Sequence, residues 1–143
     1  MKKICCVISL VGFFVSLSVI GCGRDSNSSG SQPIGSDIIQ QYNFHLESGP
    51  TTTVFILPQQ LNDANWGLKE TLCEQGGYTL IPYAGGSITA VKYSILEKYS
   101  NEPLYLWVLA KDYTTICGYL AVRENSVVAP GVFALSDPNI TYP

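Results

Sequence analysis

Few side chains in this sequence can do chemistry. His45 is the single histidine. A serine-histidine-aspartate relay built on it would need an exposed nucleophile on a strained strand-to-helix turn, and no G-x-S-x-G segment is present. H-E-x-x-H, P-loop and G-x-G-x-x-G patterns are absent too. Gly85-Gly86-Ser87 is rich in glycine but lacks the lysine and following helix that would cradle a phosphate. Glycan hydrolysis needs only two carboxyl groups. Here Glu47, Asp63, Glu70, Glu74, Glu97, Glu102, Asp112, Glu124 and Asp137 are scattered along the chain. Glu70 and Glu74 stand one helical turn apart, a spacing that reads as solvated surface rather than an acid pair. No catalytic residue, metal ligand or cofactor is assigned.

The thiols carry more information. Cys22 ends the run Val19-Ile20-Gly21-Cys22, behind Lys2, Lys3 and an apolar stretch from Ile4 to Ile20. This arrangement resembles the lipobox of bacterial lipoproteins. The resemblance implies that residues 1–21 are a signal peptide and that the Cys22 sulfur takes a diacylglycerol. Acyl chains such as palmitate then hold the protein on the outer face of a cell membrane or in an outer membrane. Two or more chains give stable attachment where one is marginal, at about 0.8 kcal/mol per buried methylene. An uncleaved N-terminal anchor helix is the competing reading, because the apolar run is near the lower limit of about 17 residues for crossing a bilayer. Gly21 and the abrupt polarity of Gly23 to Ser31 favour cleavage.

Cys5 and Cys6 fall in the apolar run, which leaves Cys73 and Cys117 as one candidate pair in an exported domain. A disulfide, two separately buried thiols and a redox pair are all open. The redox reading lacks C-x-x-C spacing, and two sulfurs with one histidine make a poor zinc site.

Losing Lys2 and Lys3 takes the net charge from −3 to about −5 by subtraction. Such an acidic domain lacks the basic footprint that nucleic acid demands. Gly23 to Ser36 is Ser- and Gly-rich and cannot bury enough surface to fold, so residues 22–36 read as the lipidated cysteine and a flexible stalk. Residues 37–143 are enough for a single domain.

Within that domain the folded part should begin between Asp37 and Thr51. Thr51 to Leu57 is β-branched and apolar and predicts a strand. Leu61, Ala64, Leu68 and Leu72 mark one face of a helix from Leu61 to Gln75, capped by Asn62 or Asp63 and stopped at Gly76-Gly77. Cys73 lies on the flank of that stripe. Tyr78 to Tyr83 reads as a short strand. Ser87 to Tyr99 fits helix or strand, with β-branched and aromatic residues tipping it to strand. Leu104 to Lys111 is apolar on both faces, as in a central strand. Thr115 to Arg123 should pair with it across a turn at Asp112-Tyr113. Val127 to Ala129 and Gly131 to Leu135 follow as short strands, and an irregular tail starts at Ser136. The sum is an α+β domain, one helix on a mostly antiparallel sheet of four to six strands. Its element order is similar to that of cystatins, but their Q-x-V-x-G hairpin is missing and no inhibitory activity is implied. Asn65 to Ile140, with Gly76-Gly77-Tyr78, Pro82-Tyr83-Ala84-Gly85 and Pro130-Gly131-Val132-Phe133, also resembles small Gram-positive lipoproteins of undefined function.

Tyr83, Tyr93, Tyr105, Trp107, Tyr113 and Tyr119 fall in the sheet region. Such rings either fill a core or form a stiff contact surface with polar tips. The expected role is a binding or interaction module of the envelope. Tyr105 and Trp107 are the candidate surface, and another envelope protein or a wall glycan is the partner. A small hydrolase and a purely structural surface lipoprotein are the alternatives. Exposure of Tyr105 and Trp107 on one face would favour binding, and full burial would remove it.

Overall fold

The chain runs through α1 (Ser36–Tyr42), β1 (Leu46–Ile56), α2 (Ala64–Gln75), β2 (Ser87–Tyr99), β3 (Glu102–Lys111), β4 (Thr114–Val122), β5 (Val132–Phe133) and β6 (Ile140–Thr141). This computed structural model describes residues 32–123, 128–129 and 131–143. The apolar leader, Cys22, most of the stalk and Val127 of the Val127–Ala129 segment lie outside the described residues. Every strand pairing is antiparallel, in the order β1-β2-β3-β4-β5, with β6 on the far end of β2. The fold class is α+β, with two helices where the sequence predicts one.

β3 is the central strand and explains the layering. Leu104, Leu106 and Val108 point to one face, Tyr105, Trp107 and Leu109 to the other. The first set joins Ile38, Val91, Tyr93, Ile95, Leu120, Phe133, Leu135 and Ile140 in a buried core. α1 seals this face by direct contact: a Cβ at Gly118 of β4 would collide with the Ile38 side chain. Gly35, at φ 85°, likewise lets the chain cross closely over Val108. The Tyr93 hydroxyl donates to the Ile34 carbonyl, so ordered packing starts a few residues ahead of Asp37. The tail is less irregular than its prolines suggest, because Tyr99 pairs with Ile140 and stacks on Phe133.

The opposite face is covered by α2. Asp63 caps this helix by accepting from the Asn65 and Trp66 amides, both at 2.9 Å. Gly77, at φ 82°, ends it in the left-handed region. The buried residues of the helix are Glu70, Leu72 and Cys73; Leu61 and Leu68 of the predicted stripe pack partly buried on the same core, and its Ala64 is exposed. Glu70 joins that inward face. Its carboxylate accepts from the Thr79 hydroxyl at 2.6 Å and the Leu80 amide at 2.7 Å. Those bonds also fold Ile81–Tyr83 into a 3₁₀ turn where a short strand was predicted. With Glu70 turned inward, Cys73 follows onto the sheet and meets Cys117 at disulfide distance, Cα to Cα 5.1 Å. Leu57, Leu72, Leu80, Ile88, Leu109 and Ile116 complete this second core.

β1 is the free edge of the sheet and is exposed along almost its whole length. Register shifts interrupt its pairing with β2 between Leu46 and Thr51, after which Thr51 to Ile56 pair continuously.

The Cys73–Cys117 pair encloses a loop of sequence separation 44, for which the chain-entropy account gives about 4 kcal/mol. A Cys73→Ala/Cys117→Ala double variant should lose stability on that order in urea unfolding. An equally large loss on reducing the unsubstituted protein would confirm the source, and an unchanged midpoint under reduction would refute it.

Candidate functional site

The second face is only partly covered, because the disulfide holds α2 over Leu109 and Cys117, toward one end of the sheet. Beyond it, one row across the strands reads Thr51, Lys92, Trp107 and Tyr119, and the next Ser94, Tyr105 and Ala121. The result is a cleft of about 420 Å³ between α2 and the sheet. Ala90 and Ala121 leave the depression in its floor. Phe55, Trp66, Trp107, Leu109, Tyr119 and Val132 form its walls, and Thr53 and Lys69 complete the lining. Small residues flanked by large rings make a hollow because neighbouring side chains stand too far apart to fill it.

The rings are ordered by one another. Trp107 and Tyr119 stack with an interplanar angle of 11° and centroids 6.5 Å apart. Phe55 and Trp66 meet across the other wall at 5.7 Å. The Lys69 ammonium lies 4.4 Å from the Trp66 ring centre and 5.8 Å from that of Tyr119. Lys92 lies 4.5 Å from Tyr105 and 5.7 Å from Trp107. The Arg123 guanidinium also sits over Tyr105, at 5.3 Å, and pairs with Glu47. Cations over aromatic faces are attracted by the ring quadrupole. An acidic chain thus concentrates positive charge on one aromatic face.

Burial pushes the Tyr119 phenol well above its ordinary range, so it stays a neutral hydroxyl through physiological pH. Burial lowers the Lys69 pKa, partly offset by the negative charge of Asp63.

Tyr105 and Trp107, the surface expected from the sequence, do share this face, and both are half-buried. Tyr83 belongs to the second core, Tyr93 is buried in the first, and Tyr113 is exposed in the turn. The sequence reading missed Trp66, Lys69 and Phe55 as partners of Trp107. Trp66 and Lys69 stand on α2 and Phe55 on β1, all distant from Trp107 in the sequence.

The carboxylates are placed differently from expectation. Glu70 is buried rather than solvated. Glu97 is fully buried and accepts from both the amide and Nδ1 of His45, each at 2.9 Å. His45 is therefore engaged with a core carboxylate rather than a free loop residue. Among the described residues no carboxylate lines the aromatic cleft. Among the described residues no group of three or more His, Cys, Asp or Glu side chains could hold a metal ion, and no helix is long and apolar enough to cross a membrane. No family model, curated protein or solved structure matches the chain.

A raised phenol pKa means that the folded state holds its proton more tightly than the unfolded chain. The stability Tyr119 contributes is complete below about pH 10 and is lost as pH rises beyond it. Urea midpoints at pH 8 and pH 11 should therefore differ less in Tyr119→Phe than in the unsubstituted protein. Equal differences in the two would refute the burial argument.

Proposed function

We propose that this protein is a lipid-anchored, extracytoplasmic binding module of the cell envelope, working through the aromatic cleft. The Val19-Ile20-Gly21-Cys22 lipobox supports the anchor and the address. The single observation that carries the binding role is the hollow between α2 and the sheet, where Trp66, Trp107 and Tyr119 surround two alanines. Rings with few rotatable bonds give large contact area at low entropic cost, which suits them to recognition. A partner that presents an apolar or flat group would remove water from these rings and gain about 25 cal/mol per Å² of apolar surface covered. The envelope partners considered above, another protein or a wall glycan, would both have to offer such a group. Hydrolysis is less well supported, since no carboxylate among the described residues lines the cleft and Glu70 and Glu97 already serve internal bonds.

Two experiments separate anchor from site. Cys22→Ala should carry no lipid mass and should leave the membrane fraction or accumulate as precursor; unchanged partitioning would sink the anchor. Ala121→Phe fills the cleft from a half-buried strand position that lines it. Chemical crosslinks formed in native envelopes should fall at least about tenfold in that variant at unchanged thermal stability, the loss expected for a blocked apolar site. A crosslink pattern identical to that of the unsubstituted protein would place the contact elsewhere.

A further inference from the structure

We infer that the cleft takes a small amphiphilic carboxylate, its apolar body on the Trp107–Tyr119 wall and its anion on the Lys69 ammonium. This rests on reading the cleft as the binding site and narrows what enters it. Three observations lead here. First, about 420 Å³ falls within the range of small-molecule sites, and the lining is almost all carbon. A sugar ring would bring many hydroxyls that Thr53, Lys69 and Tyr119 are too few to satisfy, at the cost of burying unpaired polar groups.

Second, Lys69 is the only charged residue among the described residues that lines the cleft. It is half-buried and forms no ion pair among the described residues. The ion pairs among the described residues are His45–Glu97, Lys111–Asp112 and Arg123–Glu47. Asp63, the nearest carboxylate to influence Lys69, is already accepting two amides as the cap of α2. A desolvated, unpaired ammonium gains most from an incoming anion.

Third, the charge is a single ammonium rather than a fork of donors. A lone lysine matches a monoanionic carboxylate, whereas a phosphate would call for several convergent donors. Lys92, beyond Trp107, adds a second positive charge farther along the face. That field would repel a cationic ligand of the same shape.

Trp66 and Trp107 are the protein's two tryptophans and both line the cleft, so intrinsic fluorescence reports occupancy directly. The full, membrane-anchored chain in phosphatidylcholine vesicles is titrated with octanoate, 1-octanol and octylamine, none of which absorbs with the indoles. Octanoate should bind about tenfold more tightly than 1-octanol, the gain of one charge-assisted hydrogen bond, and octylamine more weakly than either. Lys69→Met keeps the apolar stem and should erase the octanoate advantage without changing the 1-octanol affinity. Ala121→Phe should abolish all binding. Equal affinity for octanoate and 1-octanol, or a preference that survives Lys69→Met, overturns the ligand class while leaving the cleft as a binding site. Failure of every probe to change the fluorescence overturns it as well, and envelope crosslinks that still depend on Ala121 would then show a different ligand. Crosslinks indifferent to Ala121→Phe sink the cleft reading itself.

Discussion

A strand whose side chains are apolar in both directions must be covered twice, and β3 imposes that demand on the whole domain. One face is closed by α1, which reaches it because Gly118 offers no side chain where Ile38 must enter. The C-terminal segment completes this layer with Phe133, Leu135 and Ile140. The other face receives a single helix that cannot span it. α2 is held over Leu109 and Cys117 by the Cys73 sulfur and by the Glu70 bonds to Thr79 and Leu80. What the helix leaves uncovered is the ground on which Trp107 and Tyr119 stand. The cleft is thus the remainder of an incomplete layer, kept open by two alanines.

How far the amino acids announce this can be followed residue by residue. Thr51–Leu57, Ser87–Tyr99, Leu104–Lys111 and Thr115–Arg123 were legible as strands, because branched and aromatic runs between turn residues are a local signal. The Asp112-Tyr113 turn was equally clear, and both residues adopt positive φ there. The short α1 was not, since seven residues with a single fully buried side chain, Ile38, give almost no periodicity. The 3₁₀ turn at Ile81–Tyr83 was misread as strand because its cause, a carboxylate ten residues upstream, is a tertiary contact. The same contact adds Glu70 to the inward face of α2, beside Leu68 and Leu72. The sheet side of the cleft was partly readable, as Trp107 shares a strand face with Tyr105. Trp66 and Lys69 were hidden on the helix and Phe55 on the edge strand.

Two carboxylates spent inside the fold also shape the charge outside it. Glu70 and Glu97 are withdrawn from the surface, and Glu47 is paired with Arg123. The aromatic face is therefore left with lysines, in a chain whose total charge is negative. Because Lys69 and Lys92 lie over rings and form no ion pair among the described residues, their charge is held in place on this face. Orientation is thereby built into an otherwise oily hollow.

The open border of the sheet has a consequence of its own. Between Thr51 and Ile56 the outermost strand has no charge to repel another extended chain, and such borders are natural templates for strand addition. Pro50 has no amide hydrogen to offer, and the irregular pairing before it breaks the straight run. An added strand could therefore zip along the hexapeptide in one direction and would be halted at the proline. The border is self-limiting, a safeguard against runaway association of one copy with the next.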